Sequence, residues 1–237
     1  MKLKIMKRNF EIGFITIGQS PRRDIFGDMQ ECLQGISYTE VGALDGFSME
    51  QIEKLKLHYD DKEPFYVTRL NTGTEIMVAE RTICGLIQEK ARILLKRGTK
   101  HVILACTGEF PSIPKDIDLH VGAEILKDKV KMEYRGKKIA LVIPNINQTV
   151  LSKRWSEIGI ENEPIACQPY NVTSETVLIA NRIKKDAFDF ILLDCMGYTK
   201  QIASCFQEIT SKKVILARET ICEAAVLCAR TKLNQSF

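Results

Sequence analysis

Histidine is nearly missing from this chain: three residues among 237, at positions 58, 101 and 120. Its eight cysteines, at 32, 84, 106, 167, 195, 205, 222 and 228, include no CxxC pair. A zinc site built from closely spaced ligands is therefore not predicted, and no metal is expected. No GxxxxGK[ST] segment is present to cradle nucleotide phosphates, and no cofactor is expected. No apolar run approaches the roughly 18 residues that a membrane span needs. Met1–Arg8 is charged but lacks the apolar centre of a signal peptide. The expected compartment is the cytoplasm, where reducing conditions keep cysteines as thiols. An excess of one charge is also lacking. The 34 basic residues stand against 30 acidic ones, a formal balance of +4. That is too small and too scattered to predict nucleic acid as a partner.

What is present is ordinary core material: 45% of residues are hydrophobic and 27% charged, the mixture of a globular protein. The length suits one large domain or two small ones. Glu11–Gly18, Ile36–Leu44, Phe65–Leu70, His101–Cys106, Lys138–Pro144, Ile165–Tyr170, Phe188–Asp194 and Val214–Ala217 read as strands. Several of them are near-continuous apolar runs, the pattern of buried parallel strands. Between them, 24–33, 49–58, 79–97, 121–132, 148–158, 173–185, 200–210 and 219–232 read as helices. Ser48 and Thr173 or Ser174 are the predicted N-caps. This alternation predicts an α/β fold with mostly parallel sheets and helices on their faces.

Two of the strands end alike. His101-Val-Ile-Leu-Ala-Cys106-Thr-Gly and Phe190-Ile-Leu-Leu-Asp-Cys195-Met-Gly each close in Cys-x-Gly, 89 residues apart. In open α/β sheets, ligands bind at the carboxyl ends of strands. Thiols at two equivalent strand ends are placed to face one ligand. A cysteine pair on opposite sides of a carbon can remove a proton from one face and return one to the other. The loops after both thiols also offer free N–H groups at Thr107-Gly108 and Met196-Gly197, suited to a carboxylate or a developing enolate. Gly18-Gln-Ser-Pro-Arg22 follows the first strand. There Gln19 and Ser20 can hydrogen-bond an anion and Arg22 can grip it with two N–H groups. The same residues also fit a plain helix cap followed by solvated arginines. Arg69 ends the third strand and is a further candidate, as are Tyr198 and Thr199, with Tyr170 a lesser one. Glu109 reads as a first-turn glutamate. Asp194, in an apolar run, needs a partner such as a basic group or a helix N-terminus. Trp155 reads as a packing residue, and Cys84, Cys222 and Cys228 as small core residues.

Taken together, Thr16-Ile-Gly-Gln-Ser-Pro-Arg22, Leu44-Asp-Gly46, Thr68-Arg-Leu70, Leu104-Ala-Cys-Thr-Gly-Glu-Phe-Pro111 and Leu193-Asp-Cys-Met-Gly-Tyr-Thr199 resemble the AroM family, over about residues 11–230. That family is similar to the aspartate/glutamate racemase superfamily, which includes hydantoin racemases, maleate isomerases and arylmalonate decarboxylases. The resemblance implies two flavodoxin-like domains, related by a pseudo-two-fold around a cleft, with one catalytic cysteine from each. It places Cys106 and Cys195 at those positions. It also implies a closing helix that returns to the first domain, giving residues 1–118 plus 219–237 and residues 119–218. The superfamily's Cys-Asn-Thr and Cys-Thr-His strings are replaced here by Cys-Thr-Gly and Cys-Met-Gly. The histidine and acidic residues that activate the thiols of glutamate racemases have no counterpart by motif. The expected function is cofactor-independent racemisation or isomerisation of a small carboxylate-bearing molecule, an amino acid or a diacid. Two alternatives stand beside it: a lyase or hydrolase using one cysteine, and a non-catalytic binding or regulatory protein linked to aromatic amino acid metabolism. A homodimer is the oligomer considered.

Overall fold

The computed structural model describes residues 11–58, 64–145 and 150–231. The charged segment Met1–Arg8 and the expected first helical turn at Gln148 lie outside them. The first half begins β1 (Ile12–Thr16), α1 (Arg23–Met29), β2 (Tyr38–Gly42) and α2 (Met49–Leu55). It continues β3 (Phe65–Arg69), β4 (Glu75–Ala79), α3 (Glu80–Lys96), β5 (His101–Leu104) and β6 (His120–Val121). The second half is α4 (Gly122–Tyr134), β7 (Lys138–Ile143), α5 (Val150–Glu157), β8 (Glu161–Ala166), α6 (Ser174–Lys185), β9 (Phe190–Leu193), α7 (Lys200–Thr210) and β10 (Lys213–Leu216). A closing helix, α8 (Ala217–Thr231), follows.

Two four-stranded sheets result, in the orders β2-β1-β5-β6 and β8-β7-β9-β10, with every pairing parallel. The two sheets therefore have the same connectivity: in each, the third strand in chain order sits beside the first. The central strands are buried along their length, as their apolar sequences require. Helices cover both faces. In the first half, α3 and the β3–β4 hairpin pack one face through Ile83, Ile87, Leu94, Ile76 and Val78. Its other face meets α1 and α8 through Phe14, Phe26, Ile221, Cys222 and Ala225. In the second half α6 and α7 cover one face, and α4 and α5 the other, with Leu126, Val130 and Trp155 inside. The last helix thus packs on the first sheet.

Three elements differ from the sequence expectation. Residues 75–79 form β4, antiparallel to β3, where a direct passage from a turn to a helix is expected. The five-residue stretch Glu-Ile-Met-Val-Ala runs straight into α3, so hydrophobic periodicity merges strand and helix. The hairpin turn is closed by the Leu70 amide donating to Thr74 O at 2.8 Å. Residues 120–121 are a short edge strand on β5 rather than the start of a helix. And β8 begins at Glu161, before the expected Ile165. It is an edge strand, where polar residues and Pro164 are tolerated, so its first half carries no apolar signal.

Arg218, at the start of α8, is fully buried. It donates from Nε to the Met196 carbonyl at 3.0 Å, and from Nη1 to Asp24 O and Asp28 Oδ2, both at 3.0 Å. One guanidinium therefore pins α1, α8 and the loop after β9 together. Replacing Arg218 by Met strands a buried carbonyl and part of a carboxylate, and is expected to cost about 3–5 kcal/mol. The shift of the urea unfolding midpoint measures it.

Candidate active site

Cys106 follows β5 and Cys195 follows β9, so each thiol stands at the carboxyl end of the third strand of its sheet. The local geometry repeats. The Gly108 amide donates to Cys106 Sγ at 3.4 Å, and the Gly197 amide to Cys195 Sγ at 3.3 Å. Both side chains keep partial exposure, and Cys106 lies close enough to Cys195 to add to the rise of its pKa. The glycine at 197 is required by space, since a Cβ there would lie 2.9 Å from the Pro169 side chain and 3.1 Å from the Tyr170 ring.

Beneath the thiols runs a buried polar bridge. Arg154 Nη2 donates to both carboxylate oxygens of Asp194, at 2.7 and 2.5 Å, and Arg154 Nη1 donates to the Thr107 carbonyl. Trp155 Nε1 adds a bond to Asp194 Oδ2 at 3.0 Å. In return, Thr107 Oγ1 donates to the Asp194 carbonyl at 3.2 Å. The residue after one cysteine is thereby tied to the residue before the other. The partner required for Asp194 is a basic group, and Trp155 combines packing with a hydrogen bond.

The loop from 18 to 22 reaches the same place. Arg22 is 6% exposed and paired with both oxygens of Asp24, at 2.9 and 2.7 Å. Burial opposes its charge, but Asp24 outweighs burial, and the Arg22 pKa ends above the ordinary arginine value. For Asp24 burial also opposes the charge, and the Arg22 hydrogen bond again wins, lowering its pKa. Arg69 Nη1 lies 3.8 Å from Asp24 and its guanidinium stacks over the Tyr170 ring at 4.2 Å. Tyr170 holds a left-handed backbone (φ 79°) beside Cys195 and Arg22, and burial raises its pKa well above the ordinary tyrosine value. A non-glycine residue held there is the kind of strain that collects at functional sites. A cavity of about 480 Å³ opens over Arg22, Arg23, Asp24, Arg69 and the hairpin turn 70–73. A larger hollow of about 690 Å³, at the end of α7, shares no residue with this site.

Other candidates serve as framework. Ser20 gives both its amide and its hydroxyl to Asp45, at 2.7 and 2.5 Å, and Gln19 Oε1 accepts from the Asn71 amide at 3.3 Å. Ser20 is not the N-cap that a plain helix cap would make it, because α1 starts after Arg22 with no side-chain cap. Thr199 caps α7 by accepting from the Ile202 amide at 3.2 Å. Tyr198 is fully buried in the second core, its hydroxyl donating to Cys167 O at 2.7 Å. Met196 crosses to the first half and joins the cluster of Phe14, Phe26 and Ile221. Glu109 is exposed, with its carbonyl accepting from the Tyr66 hydroxyl. Arg154, Asp24 and Arg218 were not singled out from sequence. A signal existed for two of them: Arg154 and Arg218 sit on the apolar stripes of their helices, three or four residues from Ile158 and Ile221.

Burial raises both thiols. Cys195 is pushed up to about 12, with Cys106 and Asp194 adding to the effect of burial and the Gly197 amide opposing it. Cys106 is raised too, but the Gly108 amide, Arg154 and Arg22 all favour its thiolate.

This architecture, two like-connected parallel sheets with a cysteine at corresponding strand ends, is the Asp/Glu racemase fold. A crystal structure of arylmalonate decarboxylase matches with a TM-score of 0.59 and 15% identity, over 92% of this chain and 91% of that one. Maleate isomerase from Pseudomonas putida S16 matches with a TM-score of 0.57 and 16% identity, over 96% and 94%. A glutamate racemase isoform from Bacillus anthracis matches with a TM-score of 0.60 and 14% identity, over 97% and 84%. No curated protein matches by sequence. The chain belongs to the AroM family, described as AroM protein, whose family model matches residues 12–226. Among the described residues no helix is long and apolar enough to cross a membrane.

Two measurements test this site. Replacing Arg154 by Met leaves the buried Asp194 carboxyl without its basic partner, and is expected to lower stability by about 3–5 kcal/mol; adding Asp194→Asn should recover part of it in urea unfolding. Alkylation by iodoacetamide, followed by peptide mass spectrometry, should be slow at pH 7 at both thiols, because only the thiolate reacts. Since burial pushes Cys195 up to about 12 while Arg154 and Arg22 favour the Cys106 thiolate, Cys106 should gain reactivity at the lower pH.

Proposed function

We infer that the protein is a cofactor-independent racemase or isomerase of a small carboxylate, with Cys106 and Cys195 as opposed base and acid. The observation that carries this reading is the repeated placement of the two thiols at equivalent strand ends, each with an N–H donor two residues on. The similar structures point the same way: their names refer to glutamate, aspartate, maleate and arylmalonate, all carboxylates.

In the proposed step one thiolate takes the proton from the carbon next to the substrate carboxylate. The electron pair moves into the carboxylate as an enediolate, and the opposite thiol donates its proton to the other face. The roles reverse in the other direction. Cys106 is the resting base, because two guanidiniums, Arg154 and Arg22, favour its thiolate against Asp194, while at Cys195 both Cys106 and Asp194 act against the single guanidinium of Arg218. Arg69 and Arg22 are the candidates for holding the substrate carboxylate, together with the amides of Gly108 and Gly197 and their neighbours Thr107 and Met196. Arg22 is already bonded to Asp24, so Arg69 has the freer N–H groups. The unequal charge around the two cysteines also suits a second reading, a lyase that works through one cysteine.

The test is incubation in heavy water with a panel of amino acids and small diacids. The true substrate should gain deuterium at the reacting carbon, and Cys106→Ser or Cys195→Ser should each lower interconversion about 10²–10⁴-fold. Dependence on one cysteine alone would replace the two-base reading with the lyase. Tight binding without exchange, equal in both serine variants, would leave a binding protein. The pH profile follows from the thiols. A raised pKa leaves Cys106 protonated at neutral pH, so kcat/KM should climb about tenfold per pH unit between pH 7 and 9. A flat profile there would exclude Cys106 as the base.

A further inference from the structure

At the opposite edge of the first sheet, three side chains from distant points of the sequence converge. His101 opens β5, His120 opens β6, and Cys228 lies in the last turns of α8. Their ligating nitrogen and sulfur atoms all lie within 4.8 Å of one another. The imidazole centroids are 6.0 Å apart, with the rings tilted by 41°. We propose that His101, His120 and Cys228 bind a transition-metal ion, zinc by its chemistry, and that the ion fastens the closing helix to the first sheet.

The donor set decides the metal. Two imidazoles and a thiolate suit borderline ions such as Zn²⁺, and disfavour Mg²⁺ or Ca²⁺, which take oxygen. Tetrahedral bonds of about 2.0–2.1 Å to nitrogen and 2.3 Å to sulfur put the donors about 3.5 Å apart. Donors within 4.8 Å of one another have therefore to draw in by about 1 Å to reach that spacing. Three protein ligands leave the fourth position for water.

The backbone makes the position a designed one in the mechanical sense. His101 and His120 come from adjacent parallel strands, with Ile103 paired to His120. Arg218 and Cys228 are ten residues apart on α8, so the ion would sit about 15 Å along the helix from the Arg218 pin. Arg218 fixes the start of the helix at the cleft, and the metal would fix its far end. Linear spacing shows none of this, because the ligands fall at 101, 120 and 228 with nothing resembling a zinc motif between them.

The experiment loads the metal-free full-length protein with Co²⁺ and then Zn²⁺. One Co²⁺ per chain should give the near-ultraviolet thiolate charge-transfer band and the visible bands of a tetrahedral site, and Zn²⁺ should displace both. Cys228→Ser should remove the charge-transfer band, and His120→Gln should weaken binding at least about 100-fold, more than loss of a merely supporting group does. His120 stands on a short edge strand, so its variant serves if the helix variant fails to fold. The Cys106→Ser/Cys195→Ser double variant should keep the band, which separates this site from the two thiols of the cleft. Absence of tetrahedral bands, or bands that survive Cys228→Ser and vanish in the double variant, would overturn the proposal.

Discussion

The ion pair between Arg154 and Asp194 is the constraint on which the site depends. Asp194 directly follows β9, one residue before Cys195, and its carboxylate is fully enclosed. An isolated carboxylate there would be expelled or neutralised. Arg154 meets it with two N–H bonds and uses its other terminal nitrogen on Thr107, the residue after Cys106. A charge that must be compensated thus becomes a ruler between the two cysteine loops. Such a pair adds little to stability compared with well-packed apolar side chains, whereas breaking it is costly. What it contributes is position.

The same logic recurs nearby with different partners. Arg22 is held by Asp24, Arg218 by Asp28 and two carbonyls, and Ser20 by Asp45. Three buried guanidiniums converge on two neutral thiols. Burial lifts both thiol pKa values, and the arginines act against burial, most strongly on Cys106. Arg154 and Arg22 thus set positive charge beside Cys106, and Arg218 beside Cys195. Arg218 shows the cost of this arrangement, since burial lowers its pKa below the ordinary arginine value.

Packing across the halves is equally specific. Met196, next to Cys195, is inserted into the core that α1 and α8 form on the first sheet. The Met196 side chain is therefore an anchor, while its carbonyl accepts from Arg218. Gly18 marks another close approach: a Cβ there would stand 2.1 Å from the Arg69 carbonyl oxygen. That contact brings the hairpin bearing Arg69 against the loop bearing Arg22. The hairpin itself was hidden in the sequence, because Glu75–Ala79 merges with the helix that follows.

The sequence by itself determined the alternation of strands and helices, the parallel sheets and the two cysteines at matched strand ends. Those features are written in local periodicity and in short runs such as Phe190–Leu193, where each residue's neighbours in the chain decide its burial. It also determined that Asp194 required a partner, a basic group or a helix N-terminus. Only the tertiary structure decided that the partner is Arg154, 40 residues earlier, and that Tyr198 and Thr199 serve the core and a helix cap. Only it brought His101, His120 and Cys228 together. Side-chain pairing between elements depends on how helices dock on sheets, and docking leaves no periodic trace in the chain. A buried charge announces that it needs a partner, but the fold chooses which one.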